Sequence, residues 1–178
     1  MWNRGSCLFQ HPLVLFMLAV SDRIVRIKVM SSKERRITII ESPFSAPSHD
    51  AIVRNVRYAM LAVRDSLSRG EAPYASHLFF TQMLDDNIPE ERALGIDAGL
   101  SVGRHAALTA IYTDFGLSRG MEYGITAAKE IRRPVVERKL FGAALSTIEL
   151  EELVHNESLR HNLPDPDTIA AIYARIIK

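Results

Sequence analysis

The sequence predicts an α/β fold, a Rossmann-like, open and mainly parallel sheet of about four to five strands with flanking helices, followed by C-terminal helices. Three observations predict it. Short β-rich runs alternate with helix-period segments from residue 36 onward. The rhythm of strand, helix, strand, helix is that of parallel strands joined by crossover helices. One run, "AALTAIYT", is apolar throughout, as a strand covered on both faces must be. The chain accordingly divides into an N-terminal extension (1–35), an α/β domain (36–142) and a C-terminal helical segment (143–178).

The elements follow in order. "RRITIIESPFSAP" gives a first strand, Ile37–Ile40, stopped by Ser42-Pro43, because proline cannot continue a central ladder. Val53, Val56, Met60, Val63 and Leu67 recur at spacings of three and four and define one face of a helix. Ser48 or Asp50 caps its start, and Gly70 lies just past its end. "APYASHLFF" reads as a second short strand. Pro89 suits a first helical position, with Asn87 or Ile88 before it, and that helix runs to about Gly103. After the third strand, "AALTAIYT", Ser118–Ile131 is helical, and "PVVERKL" is a fourth strand. In the C-terminal part, Ser146-x-x-Glu149 has the form of a capping box. Asp165 and Pro166 open a last helix whose apolar stripe is Ile169, Ile172, Tyr173 and Ile176. These helices pack on the sheet or dock on a second subunit, so a homo-oligomer is one expectation.

Bulk properties narrow the function classes. A chain of 178 residues, 47% apolar, suffices for one domain with a sizeable core. The formal net charge of +1 gives no global attraction to nucleic acid or anionic membrane, and neither partner is expected. Residues 1–36 are locally basic, at +5, against −4 for the remainder. The single cysteine, Cys7, excludes an internal disulfide and fits a reducing compartment, so the expected location is cytoplasmic. The segment Leu13–Val20 is too short to span a bilayer, which takes roughly 20 apolar residues. It imitates a signal peptide but lacks a small-residue cleavage site, and Met30 is an alternative start.

In open α/β sheets, ligands bind outside the carboxyl ends of the strands. That rule selects Glu41-Ser42-Pro43-Phe44, Ser76-His77 and Asp114 through Glu122. Gly116 and Gly120 allow a tight turn and close approach to a ligand. Ser118 caps the following helix or donates to a phosphate or sugar hydroxyl, and the helix's first amides favour negative charge. Arg119, inside the turn, suits a phosphate through two contacts. Glu122 has two readings, a carboxylate favoured by the helix dipole or an ionised, aimed nucleophile. Asp114 either bonds the turn's amides or holds a substrate. His77, without a partner in view, more often serves structure than catalysis. Arg132-Arg133 reads as a basic pair favourable at a helix end. No Cys/His or H-E-x-x-H spacing and no phosphate- or dinucleotide-binding glycine motif occurs, so neither a metal nor a cofactor is expected.

These stretches also carry a resemblance. "IIESPFSA" is similar to the opening strand and proline turn of the nucleoside 2-deoxyribosyltransferase superfamily, which includes the nucleoside 5′-monophosphate N-glycosidases. "RNVRYAMLAVRDSLSRGEAPYASHL" resembles its next stretch, with Asn55, Ala59, Leu67, Gly70, Pro73 and His77 in order. "YTDFGLSRGMEYGITAAKEIRRPVV" resembles its signature, an Asp and a Gly/Ser turn before Glu-x-Gly, a small-residue helix and a Pro-Val strand. The resemblance runs from about Ile37 to Leu140. It implies a nucleoside or nucleotide substrate and cleavage or exchange of its N-glycosidic bond. Carried onto this chain, Glu122 is the nucleophile that attacks the anomeric carbon, and Asp114 binds or orients the sugar. Asp97 assists the departing base, with Asp85 and Asp86 competing for that role. Ser42 and Ser118 contact the sugar or a 5′-phosphate. Glu41 stands where the family often has a small residue, as an alternative acid or as a satisfied buried carboxylate.

Overall fold

A computed structural model describes residues 34–142 and 145–166. The expectations placed on Cys7, Leu13–Val20, Met30 and the stripe of the last helix fall outside these residues. The elements run β1 (Ile37–Glu41), α1 (His49–Ser68), β2 (Ala72–Tyr74), α2 (Ser76–Phe79), α3 (Pro89–Gly103), β3 (Leu108–Tyr112), α4 (Arg119–Glu130), β4 (Val135–Arg138) and α5 (Thr147–Arg160). All strand pairs are parallel, in the order β2-β1-β3-β4. The described residues therefore form the α/β, Rossmann-like open sheet that the alternation predicts.

Side-chain chemistry fixes most of the helix starts. Ser48 accepts the amide of Ala51 at 3.3 Å and caps α1. Pro89 occupies the first turn of α3. Ser118 caps α4 by accepting the Met121 amide at 3.4 Å. At α5 the Glu149 carboxylate accepts the Ser146 amide at 2.8 Å while Ser146 Oγ accepts the Glu149 amide, a complete capping box.

One element differs from its sequence reading. "APYASHLFF" is a strand only over Ala72–Tyr74 and then turns into α2 and a 3₁₀ turn, Phe80–Gln82. The amides of Leu78 and Phe79 donate to the Ala75 carbonyl, which closes the helical turn before the ladder can lengthen. His77 therefore sits on a helical turn just beyond the carboxyl end of β2.

Strand alternation divides the sheet into two unlike faces. Ile40, Ala110 and Tyr112 point toward α1 and pack with Tyr58, Leu61, Ala62 and Val154 of α5 in the apolar core. Ile39 and Glu41 point the other way, in register with Thr109 and Ile111. There Gly124 of α4 lies against Glu41, and Arg133 bonds Thr109. A buried ion pair also ties the fold together: Arg138 Nη1 and Nη2 each donate to Glu71 at 2.8 Å, and Ser66 Oγ donates to the same carboxylate at 2.7 Å. Among the described residues, no helix is long and apolar enough to cross a membrane.

Candidate active site

The chain leaves β1 toward β2 on one side and returns through α3 to β3 on the other. The crevice at the carboxyl ends of β1 and β3 is therefore a topological switch point. A cavity of about 530 Å³ occupies it. All three strand-end stretches reach this cavity: Glu41 at the end of β1 with Ser42 and Phe44 after it, Ser76 and His77 after β2, and Ser118, Arg119 and Gly120 after β3.

Glu41 is the carboxyl group at the cavity's inner end. Burial pushes its pKa up to about 8, against the opposing pull of the Arg133 guanidinium. Among the described residues no hydrogen bond reaches this carboxyl. Its seat exists because residue 124 has no side chain. A methyl group there would overlap the Glu41 carboxyl. Gly124→Ala therefore displaces the end of the Glu41 side chain from its seat, with an expected cost of about 1 kcal/mol of stability, the low end of overpacking. The same substitution in a Glu41→Ala background should cost nothing or stabilise by roughly 0.5–1 kcal/mol, since alanine favours a helix over glycine. Denaturant unfolding of the two pairs checks the sign change, and equal costs in both backgrounds would disprove the contact.

Arg133 and His77 complete the polar part of the wall. Arg132 adopts a left-handed conformation (φ 56°) and turns the chain back at the end of α4, carrying Arg133 beneath α3. Arg133 Nε donates to Thr109 Oγ1 at 2.7 Å, and Nη1 bonds the Gly103 carbonyl. Burial lowers its pKa while the charge of Glu41 opposes the shift. His77 Nε2 lies 2.9 Å from Ser42 Oγ, and burial pushes the imidazole down to about 4, so it is neutral near pH 7. At the rim, Asp86 is bonded to Arg92. Burial raises the Asp86 pKa, and Arg92 opposes the rise. Phe44, Phe80 and Tyr123 add aromatic surface.

Three predicted carboxylates stand elsewhere. Met121, Gly124 and Ala128 are the buried residues of α4, so Glu122, about 100° round the helix from Met121, is turned to solvent and does not line the cavity. Asp97 is likewise exposed, because the cavity face of α3 is Gly95, Gly99 and Gly103. Asp86, its competitor, does reach the cavity, whereas Asp85 does not. Asp114 is engaged in the scaffold, where its carboxylate accepts Tyr58 OH at 2.6 Å and the amides of Leu140 and Phe141 at 2.8 and 3.1 Å. Asp114→Ala should lower stability by roughly 2–4 kcal/mol, because two amides and a phenol lose a charged acceptor. Thermal and denaturant unfolding would register it, and an unchanged midpoint would refute the clamp. Gly116, at φ 78°, shapes the turn outside the cavity, and Pro43 is buried beside Ser42 without lining it.

The sequence reading took Arg133 only as half of a basic pair at a helix end, and gave no site role to Gly124 or the glycines of α3. The spacing Gly95, Gly99, Gly103 was the available signal for a close-packed face. A methyl at Gly99 would meet Ser76 Cβ at 2.9 Å, so α3 rests directly on α2. No group of three or more potential metal ligands occurs among the described residues.

Comparison with known proteins adds a family. Residues 36–138, more than half of the chain, match a family described as a domain of unknown function (DUF7768). The chain belongs to that family, whose span covers the whole sheet and the helices between its strands. No curated protein and no solved structure matches the chain.

Proposed function

We propose that this member of the DUF7768 family cleaves the N-glycosidic bond of a nucleoside or nucleoside 5′-monophosphate, with water or a second base as acceptor. One observation carries the reading: a carboxyl group with a strongly raised pKa, Glu41, lies without a hydrogen-bond partner among the described residues, in a cavity of about 530 Å³ at the switch point. A carboxyl group that holds its proton near pH 7 is suited to be a general acid. As the C1′–N bond lengthens, Glu41 donates its proton to the departing base, and the acceptor attacks the oxocarbenium-like sugar from the opposite face. The route replaces the nucleophilic role that the resemblance gives to Glu122. The α4 N-terminus with Ser118 and Arg119 suits a 5′-phosphate. Aromatic surface from Phe44 and Phe80 suits a base. The single cysteine supports a cytoplasmic location.

A second reading, nucleotide binding without turnover, is favoured by the outward placement of Glu122. Incubating the full chain with a panel of nucleosides and nucleotides, and reading free base by chromatography, separates the two. Released base supports the enzyme. Saturable binding without release supports the binding module, and neither outcome in any member of the panel would overturn both.

A further inference from the structure

We propose that Ser42 and His77 form a nucleophile–base pair able to cleave a small carboxylic ester with an apolar acyl group in the same cavity. This goes beyond the glycosidic reading and does not depend on it. The pair lies 35 positions apart in sequence, and the parallel pairing of β1 with β2 joins it. Ser42 is the first residue past β1, where Pro43 ends the strand, and His77 lies in the turn of α2 immediately after β2. Their side chains meet at 2.9 Å between Oγ and Nε2, both residues line the cavity, and Ser42 is only 4% exposed. This is hydrogen-bond reach for a serine and the base that activates it.

The surroundings fit that role. With the ring proton on Nδ1, Nε2 is the acceptor and the Ser42 hydroxyl is the donor. Phe44 meets the imidazole edge-on at 6.1 Å between centroids, and Thr81 Oγ1 donates to the backbone carbonyl of His77 at 2.5 Å, which fixes the turn that carries it. Across the cavity, Arg119 and Gly120 open α4, and the first-turn amides of a helix have no acceptor within it and favour negative charge. Phe80, Leu84 and Leu100 line an apolar wall for the acyl group.

In the first half-reaction the Ser42 proton passes to His77 Nε2 as an Oγ–C bond forms at the ester carbonyl. The C–O bond to the alcohol then breaks, and the proton on Nε2 leaves with the alkoxide. In the second half-reaction water attacks the acyl-serine, gives a proton to Nε2, and restores the Ser42 hydroxyl as the acid departs. Water is the only co-reactant.

A fluorophosphonate probe tests the pair without a known substrate. The full folded chain is treated with the probe, and modified residues are mapped and timed by peptide mass spectrometry. The expected result is an adduct on Ser42 that forms at least 100-fold faster than any on Ser45 or Ser76, which line the same cavity. That comparison lies within the wild-type chain and needs no variant to fold. In His77→Gln, whose folding is checked by circular dichroism, the Ser42 rate should fall at least tenfold. Absence of a Ser42 adduct, equal rates at the three serines, or an undiminished Ser42 rate in folded His77→Gln would each overturn the proposal.

Discussion

Glu41→Gln is expected to slow base release from the responsive nucleoside or nucleotide by roughly 10²–10⁴-fold, while Glu122→Gln leaves the rate within about twofold of wild type. Glutamine matches glutamate in shape, so it retains the seat beside Gly124 but has no acidic proton to give. The pH profile should agree. Activity requires Glu41 protonated, so the rate holds below its pKa of about 8 and falls above it. Stability gives an independent readout. A carboxyl group whose pKa is higher in the folded state than in the unfolded chain contributes stability that is complete below the ordinary carboxylate range. That contribution is lost as pH rises through about 8. Glutamine removes this loss, so the variant should gain on wild type in denaturant unfolding at pH 9 relative to pH 5. His77 works in the opposite sense. Its depressed pKa makes stability fall as pH drops below the usual histidine range toward about 4. Full activity in Glu41→Gln, or a wild-type stability that rises between pH 7 and 9 relative to the variant, would remove Glu41 from the site.

The second large effect concerns the ion pair beneath α1. Arg138→Met is expected to cost about 3–5 kcal/mol, because it leaves the Glu71 carboxylate buried without its two guanidinium bonds. Removing both charges, in Arg138→Met with Glu71→Leu, should restore much of the loss, since apolar side chains of similar volume need no compensation there. The pair also has a pH sign. The Arg138 bonds, then the Ser66 hydroxyl, hold the Glu71 carboxyl below the usual carboxylate value. Its contribution is therefore present above the ordinary carboxylate range and lost as pH falls through the depressed value. Chemical unfolding of the single and double variants at pH 7 and pH 3 measures both terms. A double variant no more stable than the single one would show that the buried charge is not the cause.

The fold was legible wherever local chemistry and tertiary packing agree. The three-and-four spacing of Val53, Val56 and Met60 marks α1, and Ser48, Pro89, Ser118 and Ser146 stand at or beside helix starts because each satisfies or dispenses with a free amide. Where two readings compete, the sequence misleads. Tyr74 through Phe80 has strand-like composition, yet the Ala75 carbonyl captures two amides and winds the chain into α2. The rule of strand ends found the cavity's neighbourhood but not the direction of each side chain. Direction follows from phase. Met121, Gly124 and Ala128 define the inner stripe of α4, and Gly95, Gly99 and Gly103 that of α3, which leaves Glu122 and Asp97 off those stripes. Both stripes can be read in the sequence, but they consist largely of small residues, which a search for apolar periodicity passes over. Arg133 was misjudged for another reason: a basic pair at a helix end reads as a partner of the dipole until the left-handed turn at Arg132 carries its second member inward.

The shortness of β2 has a consequence for how the sheet ends. Ala72 donates its amide to the Arg36 carbonyl, so the next residue, Pro73, turns its nitrogen away from β1 toward the margin that no strand of the described residues pairs. That nitrogen carries no hydrogen. A further strand laid along this border would find a missing donor at the centre of a three-residue segment, which discourages fibre-like growth from that flank. The opposite border, Val135–Arg138, contains no proline, so each amide that faces away from β3 keeps its hydrogen.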